Sequence, residues 1–400
     1  MTIALTGMGI VSPVGTGVDA YWKALCDGVS GIDEITRFDT EGYRCTRAGE
    51  VHDWRLPQSL HGCHADADLA TQFVLKAVDE ALAHSGLAMD AGKLSEAALV
   101  LATNFGGMEH GDRLLQHICE HTACDAEDFR EYCFQTAGDR TAQTWGIGGP
   151  REMLSLSCSS GTAAIARAAQ LIRAGHATTA IAGGYDVLSR FAWSGLMALR
   201  TISQTCVRPF DKNRDGTIFS EGAGVLLLED ADQARERNAP ILAYVAGTGV
   251  NNNAFHLTAP AKNGAGSAAV MRMALADADM EPDDVDHVNA HGTGTPPNDV
   301  TETAAIKDVF GTHAFTMPVT SIKSMIGHMM GAAGAAEAIA SVLSVRDDVI
   351  PPTVNFETPD PECDLPYVLN VKKHATVRTV LSNSAGIGGC NAAVIFRASE

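Results

Sequence analysis

The sequence predicts an α/β protein made of two similar halves, roughly 1–240 and 241–400. Three observations carry this reading. Short apolar runs alternate with segments of helical period along the whole chain, and the pattern restarts near Ala239-Pro240. The 39 glycines and many alanines among 400 residues imply close backbone approach in packed layers rather than a coiled coil.

In the first half, Ile3-Ala4-Leu5-Thr6 opens a strand that runs into a Gly/Pro/Ser turn, and a helix is expected over about 18–27. Asp68 to Ser85 has helical spacing (Leu69, Phe73, Val74, Ala77, Val78, Ala81, Leu82) and stops at Gly86. Ala97 to Asn104 reads as a buried strand ended by Phe105-Gly106-Gly107. Residues 109–149 are polar, aromatic and irregular, and are expected to form an insertion over the core. Met153 to Ser157 is small and apolar, and gives way to helical spacing at Ala164, Ile165, Ala168, Leu171 and Ile172, closed by Gly175. Strands are expected over 178–184 and 222–229, with a loop marked by Pro209-Phe210-Asp211 and Asp215-Gly216 between them. In the second half the expected strands are 241–249, 285–290 and 318–321, with helices over 265–278 and 331–345. A final hairpin joins 377–381 to 392–396 through a glycine loop. The halves share this order without visible identity of sequence.

Composition excludes several classes of function. A net charge of -19 argues against nucleic acid and anionic membrane as partners, and an acidic partner would need a local basic patch. No apolar run of about 18 residues occurs and the chain begins at once with a strand, so neither a membrane span nor a signal peptide is read, and a cytoplasmic location is expected. Ten irregularly spaced cysteines look like reduced thiols rather than a disulfide framework. His117, Cys119, His121 and Cys124, with His61, Cys63 and His64 elsewhere, lack the paired spacing of a structural zinc site, and no metal is expected. Gly7-Met8-Gly9 matches only part of a dinucleotide loop.

The chemistry concentrates in four stretches. Leu154-Ser155-Leu156-Ser157-Cys158-Ser159-Ser160-Gly161-Thr162 places Cys158 at a strand-to-helix turn, where unpaired helix N–H groups favour thiolate over thiol by roughly one pKa unit and can hold an oxyanion. A small buried cysteine is the bland alternative. His291 lies in Asn289-Ala290-His291-Gly292-Thr293-Gly294-Thr295-Pro296, directly after a buried strand. His328 ends Lys323-Ser324-Met325-Ile326-Gly327-His328, just before a small-residue helix. Asn383-Ser384-Ala385-Gly386-Ile387-Gly388-Gly389-Cys390-Asn391 is a glycine turn between strands. Either histidine alone reads as a satisfied core residue. One thiolate with two imidazoles differs from a protease site, and two N–H donors converging on one oxygen would stabilise an enolate.

At these four stretches together the chain resembles the β-ketoacyl-[acyl-carrier-protein] synthases, decarboxylating condensing enzymes of the thiolase superfamily, from Ile3 to Phe396. The resemblance implies a thiolase-like α/β fold, duplicated halves in a five-layer α-β-α-β-α sandwich. The half 1–240 would carry the nucleophilic cysteine and the half 241–400 the two histidines. It implies that Cys158 takes an acyl chain from acyl-ACP as a thioester, and that the N–H groups of Cys158 and Ile387 form an oxyanion hole. His291 and His328 would bind the malonyl-ACP thioester oxygen as CO₂ leaves, giving 3-ketoacyl-ACP. Lys323 and Glu337 would form the ion pair that orders His328, and Thr293 and Thr295 would bond the phosphopantetheine arm, which arrives on the acyl carrier protein. No metal or organic cofactor is implied. A homodimer is implied, and a heterodimer is compatible with it.

Four departures bear on selectivity. Ile387 and Ala385 stand where fatty-acid enzymes have phenylalanines, an isoleucine gate being more like modular polyketide synthases, and Cys390 replaces a threonine. Phe105 stands where the acyl tunnel is lined, and its bulk implies short or unusual primers. The segment before the second helix, His61 to Asp68, is acidic where those enzymes carry docking cations, leaving Arg208 and Lys212 for a dedicated carrier. Two alternatives from other classes are a non-catalytic chain-length partner subunit, which would typically lack the cysteine, and a cysteine thioester hydrolase, which would leave the second histidine and Lys323 unexplained.

Overall fold

Residues 1–87 and 90–399 are described by the computed structural model, with the side chains of Cys63 and Ala91 outside that description. The main strands are β1 (Ile3–Ser12), β2 (Ala98–Ala102), β3 (Arg151–Leu154), β4 (Thr179–Asp186), β5 (Gly222–Asp230), β6 (Ala243–Asn252), β7 (His287–Asn289), β8 (Val319–Thr320), β9 (Thr379–Ala385) and β10 (Cys390–Arg397). Together with Gly15–Thr16, which pairs with β1, they form one eleven-stranded sheet in the order β8-β7-β9-β10-β6-β1-β5-β4-β2-β3.

That order repeats. From either edge inward, each half places its strands third, second, fourth, fifth, first. In both halves the second strand runs parallel to the third and fourth, and the fifth runs antiparallel to the fourth and the first. The halves meet where Ile3, Ala4 and Leu5 of β1 pair antiparallel with Val245, Tyr244 and Ala243 of β6.

Five helices complete the layers: α1 (Leu69–Ser85), α2 (Ser160–Arg173), α3 (Ala265–Ala278), α4 (Pro296–Phe310) and α5 (Ala333–Asp347). Helix α1 covers β1 and β5 from outside, and α3 covers β6 and β10. Helices α2 and α5 lie between the half-sheets, α2 touching β4 and β10 and α5 touching β5 and β9. The result is a helix–sheet–helix–sheet–helix sandwich. The central pair needs small residues: a Cβ on Gly161 would sit 2.8 Å from the Ala335 nitrogen, and one on Gly334 would sit 2.7 Å from that of Thr162. Every residue from Ala333 to Val345 is buried, so α5 has no solvent face, and Glu337 is its one ionisable group in that stretch.

The duplication also places the chemistry. Cys158 lies between β3 and α2, and His328 occupies the equivalent position between β8 and α5. Phe105, after β2, corresponds to His291, after β7.

The structure departs from the sequence expectations at four places. Residues 109–149 are not irregular: they carry the helices Met108–Glu120, Ala126–Tyr132 and Gln135–Trp145. Their exposed faces dilute the apolar period, and buried Glu131 bonds Arg140 across them. The strand before Cys158 ends at Leu154 rather than Ser157. Helix α4 was not anticipated, because Pro296-Pro297 reads as a breaker, whereas proline suits a first helical turn whose N–H groups have no intrahelical partner. Finally, Asp68 is no part of an acidic docking surface. It is fully buried and caps α1 by accepting the Ala70 N–H at 2.9 Å, while Asp66 is exposed. No helix among the described residues is long and apolar enough to cross a membrane.

Candidate active site

The turn into α2 is built to present one side chain. Ser157 holds a left-handed φ of 52°, a conformation costing a non-glycine residue on the order of 1 kcal/mol or more. The turn is locked from several sides. The Asn104 amide donates to the Ser157 carbonyl at 3.1 Å, the Leu156 N–H donates to the Ser160 hydroxyl at 2.8 Å, and that hydroxyl donates to the Ser157 carbonyl at 2.6 Å. Cys158 retains some exposure. Its protonation runs against the sequence expectation: the dense surroundings push the thiol up to about 11, while the Lys323 charge and the Ile387 N–H pull the other way without prevailing.

His291 and His328 come together edge to face, with ring centroids 5.4 Å apart, and a ring nitrogen of each lies within 4.8 Å of the other's and of the Cys158 sulfur. Both are buried, and desolvation with the nearby Lys323 charge holds both far below the usual histidine range, so the rings are neutral. Their tautomers follow from their partners. Lys323 Nζ donates to His291 Nδ1 at 3.3 Å, and the Met330 N–H donates to His328 Nδ1 at 3.2 Å. Each Nε2 therefore carries the proton, and His328 Nε2 is buried with no partner. Protonated nitrogens are donors rather than ligands, which disfavours a metal held by this trio.

Lys323 is fully buried. It bonds Glu337 and the His291 carbonyl, the latter at 2.7 Å, so its donors serve His291 and not His328 as the sequence reading had it. His328 is held instead by the Met330 N–H and by backbone bonds to Ile218 and Ser220. Phe219 stacks on its ring at 5.4 Å. Burial raises Glu337 to about 7 against the pull of Lys323.

The glycine turn between β9 and β10 closes over the cysteine: a Cβ on Gly386 would lie 3.1 Å from the Cys158 nitrogen. The Ile387 N–H reaches the Cys158 sulfur, and the residue is 36% exposed. Thr293 is buried and Thr295 half-buried, their hydroxyls 2.8 Å apart. Phe105 is half-buried against a cluster that includes Trp193, Phe219 and Met330. Arg208 faces Glu357 at 3.5 Å, whereas Lys212 is exposed.

Sequence reasoning missed two buried carboxylates on α4. Glu302 accepts the His291 N–H at 2.7 Å, the Gly292 N–H at 2.8 Å and the Asn383 amide at 2.6 Å. Asp299 accepts the Phe210 N–H at 2.8 Å and the Gly294 N–H at 3.2 Å. Their spacing of three, on one helix face, was the available signal. The His117–Cys124 group is not a cluster of close donors in the described structure; His117 bonds Thr122 at 2.7 Å and buried His64 bonds Thr144 at 2.8 Å.

Comparison with known proteins points the same way. The β-ketoacyl synthase N-terminal domain matches residues 1–234, and the β-ketoacyl synthase C-terminal domain matches residues 242–357. The "3-oxoacyl-[acyl-carrier-protein] synthase 2" of Synechocystis sp. is 35% identical over 405 residues, covering 99% of this chain and 97% of the relative. The protein of that name from Staphylococcus aureus (strain COL) is 36% identical over 407 residues, covering 100% and 98%. Among solved structures, the ishigamide ketosynthase/chain length factor superposes with a TM-score of 0.93 at 35% identity, covering 100% of this chain and 99% of that one. A type II polyketide acyl-carrier protein complex with its ketosynthase bound to the hexaketide gives 0.92 at 30% identity, with 100% and 99% covered.

Proposed function

The chain belongs to the β-ketoacyl synthase family, and from that premise we propose how its residues divide the work of a decarboxylating Claisen condensation. It is a 3-oxoacyl-[acyl-carrier-protein] synthase, an acyltransferase of fatty-acid or polyketide elongation, and an acyl carrier protein is its partner. Cys158 attacks the acyl-carrier thioester. The new carbon–sulfur bond replaces that to the carrier, whose thiol leaves with the cysteine's proton. The N–H groups of Cys158 and Ile387 hold the transient oxyanion. Malonyl-carrier then binds with its thioester oxygen between the Nε2–H groups of His291 and His328. The bond to the carboxylate breaks, CO₂ departs, and its electron pair forms an enolate on that oxygen. The enolate carbon attacks acyl-Cys158, 3-ketoacyl-carrier leaves, and the sulfur recovers a proton.

The single observation that carries this reading is the pair of neutral imidazoles, each with a donor at Nδ1 and hence a proton at Nε2, beside the cysteine. An anion developing between two buried N–H donors is stabilised strongly because water is excluded. Lys323 and Glu337 hold His291 by its ring and carbonyl. Thr293 and Thr295 bond the phosphopantetheine arm, and Phe105 and Ile387 select the acyl chain, favouring short primers. The site needs neither metal nor organic cofactor. We take 1–240 and 241–400 as the two functional halves. A homodimer completes the reading, supported by β3, whose outer edge has no strand beside it among the described residues, and we read its location as cytoplasmic.

Intact-protein mass after mixing with acyl-carrier thioesters of graded length, then malonyl-carrier, tests it. The expected result is an adduct at Cys158 that survives in water and disappears with malonyl-carrier as 3-ketoacyl-carrier and CO₂ form. An adduct discharged by water alone would mark a hydrolase. No adduct at any chain length, with a carrier shown to bind, would mark a partner subunit. Equal use of long saturated chains would overturn the role given to Phe105.

A further inference from the structure

Asp186, the last residue of β4, is fully buried, and its carboxylate gathers donors from two distant stretches of chain. Oδ1 accepts the Thr103 hydroxyl at 2.7 Å, the Phe105 N–H at 2.6 Å and the Asn104 N–H at 3.1 Å. Oδ2 accepts the Gly331 N–H at 2.6 Å and the Asn104 N–H at 3.3 Å. Three buried carboxylates are ion-paired, Glu221 with Arg37, Glu229 with Arg237 and Glu337 with Lys323, whereas Glu302 and Asp68 are held by N–H donors. Asp186 is compensated by N–H and O–H dipoles, with no cation among its bonded partners. A buried ionisable group without a counter-ion is a poor way to stabilise a fold, and apolar replacements often do better.

What the carboxylate does accomplish is geometric. On one side it fixes the backbone of Asn104, whose amide donates to the carbonyl of Ser157, the residue before Cys158, at 3.1 Å. On the other it fixes Gly331, next to Met330, which has a left-handed φ of 53° and whose N–H donates to His328 Nδ1. A Cβ on Gly331 would lie 2.8 Å from Oδ2, so the two stretches are in contact with no space between them. One side chain thus ties the first half's cysteine turn to the second half's histidine turn.

We propose that Asp186 is a positioning residue for the condensation, setting the separation between an acyl group on Cys158 and the imidazole of His328. The proposal rests on the roles given above to Cys158 and His328. If the separation drifts, the enolate formed at the histidines meets no electrophile and takes a proton instead. Malonyl-carrier then loses CO₂ and leaves as acetyl-carrier, without the carbon–carbon bond.

The test compares wild-type, Asp186→Asn, Thr103→Val and Thr103→Ser in the full-length enzyme, reading the Cys158 adduct, CO₂ released and 3-ketoacyl product. An asparagine offers one acceptor oxygen where five contacts converge and turns an N–H donor towards another. Asp186→Asn is expected to acylate within about twofold of wild-type and to condense at least ~10-fold more slowly, with the CO₂-to-product ratio rising from one to roughly two or more. Thr103→Val should shift the ratio the same way by less, and Thr103→Ser should restore it. A folded Asp186→Asn with a ratio of one overturns the proposal, whether its turnover is normal or reduced. Should that variant not fold, an unchanged ratio in Thr103→Val overturns it. If wild-type itself forms no Cys158 adduct, the reading of the site fails before Asp186 is at issue.

Discussion

Cys158 is a thiol held ready rather than a standing thiolate, because burial of the sulfur raises it by more than Lys323 and the Ile387 N–H lower it. With the thiol at about 11, alkylation by iodoacetamide should climb ~10-fold per pH unit from 7 to 9 without a plateau. A plateau near neutrality would show a resting thiolate. The same burial makes Lys323 and Glu337 depend on each other, at 0% and 1% exposure. Lys323→Met leaves a buried carboxyl without its cation and should cost about 3–5 kcal/mol in urea unfolding, besides freeing His291. Glu337→Gln in the same background should recover part of that loss. At this scale the sequence was legible in identities and illegible in protonation. Cys158, His291 and His328 announce themselves by their glycine-rich surroundings, but the sign of each pKa shift depends on packing from elements hundreds of residues away.

The central helices set the distance between the two turns that carry the chemistry. Gly334→Ala would place a methyl group 2.7 Å from the Thr162 nitrogen and push α5 off α2. It should destabilise by about 1–3 kcal/mol, measured as a shift in the urea midpoint at unchanged slope. Gly175→Ala, with open space around it, should cost less, through its left-handed φ alone. The long periodic elements were readable in sequence: α1 with its Gly86 stop, α3 over the expected residues, and the β9–β10 hairpin. Helix α4 and the three helices of 108–145 were not. In the first a proline pair masks a helix start, and in the others an outward polar surface hides a shallow apolar stripe. Because α4 was missed, so were Asp299 and Glu302, which hold the backbone around His291.

Over the whole molecule, two sets of buried groups set how stability responds to pH. Burial raises Asp68 and Glu337 to about 7, and Asp186 and Asp299 to about 6; their contribution is fully present below the unfolded carboxyl range and is lost as pH rises through those values. His287, lowered to about 4, and the active-site histidines act oppositely: their contribution is present above about 6.5 and is lost as pH falls through their folded values. Between pH 4.5 and 6 the two sets oppose each other, so the unfolding free energy should change by less than the sum of either set at ~1.4 kcal/mol per group per pH unit. Urea midpoints across that window check this, and a steep monotonic slope would contradict it. The interleaving of the two halves has a further consequence during synthesis. Helix α2 is covered on one side by β10, which ends at Arg397, more than 200 residues after α2 itself is complete. At ribosomal speeds of ~5–20 residues per second, the apolar flank of α2 stays uncovered for roughly 10–40 s. Until its last strand emerges, the nascent chain carries an apolar flank open to aggregation.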